Sequence, residues 1–273
     1  MTAYIYVSLI LFLSINSIQA QENSLIDPYM NWTLGRYYSP QKVDFSLDYL
    51  NLRSAYWKNA ENILTDMSNY NCSALWRTEY FDYGVLGANY RQILIRISNV
   101  SKDKHEPMRY LVTGKSKVGP VIRNFEGDIT IIRAFLSTDT LIDGHYRGSI
   151  FAEYRFYEDS TKKYTGIFKG LLESLVCIDS MGNVIHADST DVESDGWWNN
   201  SYVGIWRDYD NSNSKKCIWG NGKLPFTFDF DKGEGELEVN EKYVRNGWEK
   251  TNAGKDWYLD KREGKAKPVD VWW

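Results

Sequence analysis

The chain contains little that announces chemistry. In 273 residues it has three cysteines, three histidines and six prolines. Three cysteines (Cys72, Cys177 and Cys217) are too few to scaffold a disulfide-stapled mini-domain. There is no His-Glu-x-x-His, no Gly-x-Ser-x-Gly, no Cys-x-x-Cys pair and no glycine-rich phosphate loop, which removes the usual sequence marks of zinc proteolysis, serine hydrolysis, thiol redox chemistry and nucleotide binding. With His105, His145 and His186 as the only histidines, a Ser/His/Asp arrangement is unannounced. No basic excess exists either: 32 Lys+Arg against 36 Asp+Glu give a net charge of −4 and a pI near 5.5. That balance argues against nucleic acid or an anionic membrane as partner. Long apolar runs are missing as well. The main one, from Tyr4 to Leu13, is about half of the ~20 residues a membrane-spanning helix needs.

That short run has a meaning of its own. Residues 1–20 carry no charged side chain, are apolar at the front and end in Ala20 before Gln21-Glu22. This is the layout of a secretory signal peptide, although no Lys or Arg precedes the apolar run and Ile18 fits the cleavage pattern poorly. The expectation is an exported protein (bacterial periplasm, cell surface or secreted) with a mature chain from Gln21 and no transmembrane segment after signal removal. In an oxidising compartment one cysteine pair could bridge. Cys177 and Cys217 both fall in strand-like segments and are the preferred disulfide; three buried thiols is the competing reading. Asn31, Asn71, Asn99 and Asn199 each open an Asn-x-Ser/Thr match.

What is abundant is apolar and aromatic: 43% hydrophobic and 15% aromatic residues, enough for a real core. Residues 21–89 read as a lead-in followed by a helix within 45–67. Leu47, Leu50, Trp57, Leu64 and Met67 lie near one face and Asp44 is placed as N-cap. From about residue 90 the period becomes two. Ile93, Ile95 and Ile97 share one face; Gln92, Leu94 and Arg96 share the other. Similar stretches follow at 108–113, 128–135, 149–157, 167–178 and 184–187, separated by turn-rich segments without helical patterns, which indicates antiparallel hairpins. An aromatic-x-Gly element recurs at Phe125-Glu-Gly127, Tyr146-Arg-Gly148, Tyr164-Thr-Gly166 and Tyr202-Val-Gly204. Glycine within a strand marks a bend, a bulge or an aromatic crossing the backbone. The predicted fold class is therefore mainly β with one N-terminal helix: an antiparallel meander over 90–250, curling into a barrel-like or strongly coiled sheet, with a charged tail at 251–273.

Candidate sites are few. Trp197 and Trp198 beside Asn199 and Asn200 could stack on a sugar ring while the amides bond its hydroxyls; tryptophans filling a core is the competing reading. His186, Asp188, Asp191, Glu193 and Asp195 form an oxygen-rich run whose spacing does not match a calcium loop, so no metal and no cofactor is expected. Asp229, Asp231, Glu234 and Glu236 could supply two carboxylates for glycoside hydrolysis.

The segments Asn199-Asn-Ser-Tyr-Val-Gly-Ile-Trp206, Cys217-Ile-Trp-Gly220, Asp229-Phe-Asp-Lys-Gly-Glu-Gly-Glu236 and Asn246-Gly-Trp248 resemble elements that recur in a group of exported bacterial β-rich proteins. The resemblance covers roughly residues 90–250 and implies export and a β-rich fold, without an activity. Gly204-Ile-Trp206 is also similar to the Gly-x-Trp strand signature of lipocalins, which in that family stands near the mature N-terminus and here comes late. The functional expectation is an exported, non-catalytic binding or interaction protein. Its partner would be carbohydrate or an extracellular or envelope protein. A hydrolase using paired carboxylates and a structural envelope component are the alternatives.

Overall fold

The computed structural model describes residues 42–140, 146–178, 181–187, 198–233 and 237–249. The signal segment, most of the lead-in, residues 188–197 of the acidic run with Trp197, Glu234, Glu236 and the tail lie outside the described residues, as does the side chain of Trp198. In chain order the described elements are helix α1 (Ser46–Tyr56), the two-residue strand β1 (Glu61–Asn62), one 3-10 turn (Asp66–Asn69), the short helix α2 (Ser73–Trp76), strands β2 (Asp82–Leu86), β3 (Arg91–Lys102), β4 (Arg109–Val118), β5 (Val121–Thr140), β6 (Tyr146–Glu158), β7 (Gly166–Ile178), β8 (Val184–His186), β9 (Trp198–Asp208) and β10 (Ser214–Gly222), and the single-turn helix α3 (Glu241–Val244).

Each of β2 to β7 pairs antiparallel with the next, β7 with β9, β9 with β10, and β10 returns to β2. The meander thus closes into an eight-stranded barrel in which every barrel strand has a neighbour on both sides. β8 and β1 are short additions on β7 and β5. β2 lies inside the stretch read as lead-in and helix, and without it the barrel would not close.

Period-two alternation decides which residues fill the barrel. Ile93, Ile95 and Ile97 face inward as expected, joined by Tyr154, Phe156, Phe168, Tyr202 and Trp219. Tyr202 stacks on Trp219 at 4.6 Å, and Tyr154 meets Trp219 edge-on at 5.0 Å. Rings of this size leave no space for every facing side chain. Gly170 and Gly204 are register partners; a Cβ on Gly204 would lie 2.7 Å from the Gly170 Cα and 2.7 Å from the Tyr154 hydroxyl. The aromatic-x-Gly repeat marks these inward positions, although the aromatics at Tyr146 and Tyr164 are exposed.

One end of the barrel is plugged by residues 63–76. Trp76 is 1% exposed, packs edge-on against Tyr110 and donates from Nε1 to Ser174 Oγ at 2.9 Å. Lys102 Nζ donates to the carbonyls of Ser68 and Tyr70, both at 2.6 Å. These bonds satisfy backbone acceptors that the plug would otherwise bury unpaired.

A second apolar cluster lies outside the wall. α1 and the segment 224–248 cover the outer side of β7, β9 and β10 through Phe45, Tyr49, Leu171, Val203, Ile218, Phe226, Phe230 and Trp248. The helix is shorter than its sequence pattern predicted, ending at Tyr56. Its buried stripe is Phe45, Tyr49 and Arg53 at four-residue spacing, whereas Leu47 is 68% exposed. Asp44 does not cap the helix directly: its Oδ1 accepts from Ser46 N and Ser46 Oγ in a local turn, and Phe45 occupies the cap position.

The expected disulfide is absent. Cys72, Cys177 and Cys217 are all buried, and no disulfide joins any two of them. Cys217 points into the barrel and Cys177 into the outer cluster, and β9 runs between their strands. The wall itself separates the two sulfurs.

Candidate functional site

Of the sequence-derived sugar platform, only the amides can be placed. Asn199 is 1% exposed; its Oδ1 accepts from Leu175 N at 2.9 Å and its Nδ2 donates to Leu175 O at 3.0 Å. Asn200 accepts from Ser174 Oγ at 2.7 Å and donates to Leu75 O at 2.7 Å, tying the plug to β9. Both amides are committed to the fold. Of the four C-terminal carboxylates, Asp229 accepts from Tyr243 Oη at 2.9 Å and pairs with Lys242. Asp231 Oδ1 accepts from Gly233 N and Glu238 N, both at 3.0 Å. Of the acidic run, only His186 is described.

Several ionisable groups that the sequence did not single out prove to be buried, or half-buried in the case of Asp82. Glu158, near the end of the barrel opposite the plug, accepts from Ser116 Oγ (2.6 Å), Gly166 N (2.9 Å) and Trp206 Nε1 (3.0 Å); burial holds its pKa above the usual carboxylate range against these bonds. Asp82, opposite the inward Ile95, is pushed up to about 7 by desolvation. Nearby, Tyr154 Oη, Tyr202 Oη and Trp219 Nε1 are buried without a hydrogen-bond partner, and burial raises both phenols. The interior is therefore aromatic packing with sparse, unsatisfied polar tips.

On the outer side, Lys216 is 3% exposed. Its ammonium donates to Phe226 O at 3.2 Å and lies 4.5 Å from the Tyr90 ring centroid and 5.1 Å from that of Phe228. Burial pushes it down to about 8. Phe226 and Phe228 both have left-handed backbone, φ 54° and 51°, an unusual state for bulky residues. The ring of Phe226, stacked on Phe45 at 4.6 Å, fixes one of them. This arrangement fastens the 224–248 strap to β10, and the strap seals the lysine from solvent.

Open ground lies elsewhere on the wall. Where β6, β7 and β9 run beyond the strap, a shallow depression of about 280 Å³ is lined by Arg155, Tyr157, Ile167, Lys169, Arg207 and Asn211. Arg155 pairs in register with Lys169, Tyr157 with Ile167, and Ile167 with Arg207. Arg207 Nε donates to Ser214 Oγ at 2.8 Å, which orients the guanidinium. Tyr157 is 38% exposed. The lining offers an aromatic face, an apolar floor, an amide and three cations. It contains no carboxylate and no nucleophile. Alternation in 149–157 and 167–178 signals that these side chains face outward, but the register that gathers them is not written in either segment alone.

The barrel's outer wall also carries Lys115, Lys117, Asp128 and Glu153 at positions alternating with inward residues, in place of the apolar band that a lipid-facing barrel presents. Among the described residues no helix is long and apolar enough to cross a membrane. Comparison with protein-family models, with curated proteins and with solved structures returns no match.

Proposed function

We propose that the protein is an exported, non-catalytic binding protein that holds extracellular carbohydrate against the outer wall of its barrel. The depression around Lys169 carries this reading. Its Tyr157 ring offers a stacking face, and Arg155, Arg207 and Asn211 offer donors to hydroxyl or acidic oxygens, a combination suited to sugar binding. An interior filled by rings gives a ligand little reason to enter the barrel, and the lining supplies no acid–base pair for bond cleavage.

The test is a glycan array probed with the mature protein recovered from the export fraction, whose N-terminal sequence should begin at Gln21. Wild type should bind; Tyr157→Ala should weaken binding about tenfold or more at an unchanged melting temperature, since stacking on an aromatic contributes on the order of 1 kcal/mol or more. A wild-type protein that binds no glycan, or a Tyr157→Ala variant that binds as wild type does, overturns the reading.

A further inference from the structure

We infer that the ligand is an acidic polysaccharide, one carboxylated or sulfated unit of which is held by Arg155, Lys169 and Arg207; the inference rests on the outer-wall binding reading above. Placing Arg155 and Lys169 directly opposite each other on adjacent strands costs stability, because like charges at facing positions repel. Folding alone favours an acid at one of the two. Some cations on the molecule do have acids: Arg109 pairs with Asp128 and Glu106, Lys162 with Asp159, Lys232 with Glu241, Lys242 with Asp229; Arg96 and Lys115 form a second facing pair of cations. Arg155, Lys169 and Arg207 form no ion pair among the described residues.

Of the carboxylates nearby, three are engaged elsewhere, while Glu126, opposite Tyr157, and Glu153, two residues before Arg155, share the outward face without an ion pair among the described residues. Asp128 faces Arg155 across β5 and β6 but is engaged by Arg109 at 3.2 Å. Asp208, next to Arg207, is turned into its own loop, accepting from Ser212 Oγ at 2.8 Å and Asn213 N at 3.2 Å. Asp159, two residues after Tyr157, accepts from Thr161 N and Oγ1. Three cations thus line the depression itself, with Glu126 and Glu153 beside its Arg155 and Tyr157 edge, on a chain whose net charge is −4. The guanidinium of Arg207 is fixed in plane by Ser214 at only one of its nitrogens, which leaves the fork for a carboxylate or sulfate. At about 280 Å³ the depression is at the small end of ligand sites, so it grips one unit of a longer chain, with Tyr157 beneath the ring and the cations at its acidic group. A polyelectrolyte supplies that charge at high local density, and its binding carries a salt dependence.

Affinity measured by calorimetry on the mature protein tests this with polygalacturonate, dextran sulfate, neutral dextran, inorganic sulfate and duplex DNA, at about 50 and about 300 mM salt. One of the acidic polymers should bind, weaken roughly tenfold or more at the higher salt, and be lost in Lys169→Glu. Lys169→Gln should fall between Lys169→Glu and wild type, with no melting temperature lowered because these side chains reach solvent. The responding polymer decides between carboxylate and sulfate. Neutral dextran bound as tightly, or binding indifferent to salt, overturns the acidic ligand while leaving the outer-wall reading in place. Inorganic sulfate or DNA bound as tightly as the polysaccharide also overturns it, the first showing a small-anion site and the second mere polyanion attraction. Binding that survives Lys169→Glu and Tyr157→Ala alike removes both the inference and the outer-wall reading.

Discussion

Lys169 and Glu173 stand four residues apart on the same outward face of β7, yet the protein treats their charges in opposite ways. Glu173 is 1% exposed beneath α1. It accepts from Tyr49 Oη (2.7 Å), Arg53 Nε (2.7 Å), Arg53 Nη2 (2.9 Å) and Ser149 Oγ (3.0 Å). Lys169 lies where the cap stops, faces another cation and has no acid. A charge that the fold covers must be neutralised and fully hydrogen-bonded, because desolvation costs several kcal/mol per ion. A charge left in water carries no such demand. The contrast shows where folding constrained the sequence and where something else was free to.

Breaking the covered side should have the largest effect. Glu173→Ala leaves the Arg53 guanidinium buried beside an empty site and should destabilise by about 3–5 kcal/mol, read from urea melts. Replacing both partners by apolar residues, Glu173→Leu with Arg53→Met, should recover much of that loss. A Glu173→Ala protein as stable as wild type would mean that the pair is not buried as described.

A second, smaller and opposite effect is expected inside the barrel. The Asp82 carboxyl titrates near 7 in the folded protein and near ~3.9 when unfolded. Between those values the folded state holds a proton that the unfolded state has released, so stability falls as pH rises from about 4 to about 7 and is level above. Asp82→Asn removes the penalty. It should stabilise by about 2–4 kcal/mol at pH ~8 and by almost nothing at pH ~4, the lower part of that range fitting a residue that keeps some exposed surface. Denaturant melts at the two pH values check it, and an equal change at both would exclude Asp82 titration as the cause.

The smallest effect sharpens the comparison most. Lys169→Glu, which should abolish polyanion binding, turns a like-charge facing pair into an opposite one and should stabilise the fold by about 0.2–1 kcal/mol. Loss of stability instead would assign Lys169 a role in folding.

The barrel was largely legible because alternation is a local property. Ile93, Ile95 and Ile97 announce their face without knowledge of any other strand. Helix α1 was read too long because Leu64 and Met67 match a helical face by spacing alone, whereas they belong to the plug. Asp82 and the depression were missed for a different reason. One lies on a five-residue strand hidden in a helical-looking region, and the other is assembled by the register of three strands. The disulfide failed on the same ground: strand-like segments say nothing about which side of a wall each sulfur takes.

Closure of the barrel by its first and last strands has a consequence for how the chain comes to be folded. The Tyr83 hydroxyl donates to the carbonyl of Gly222, 139 positions away, and β2 cannot acquire its second neighbour until β10 exists. Contacts of such long range slow folding. Until they form, a nascent or truncated chain exposes two unpaired strand edges, one on β2 and one on β9, each a template for another molecule. A chain ending before residue 214 is therefore expected to aggregate, while every other strand pair of the barrel is already specified within it.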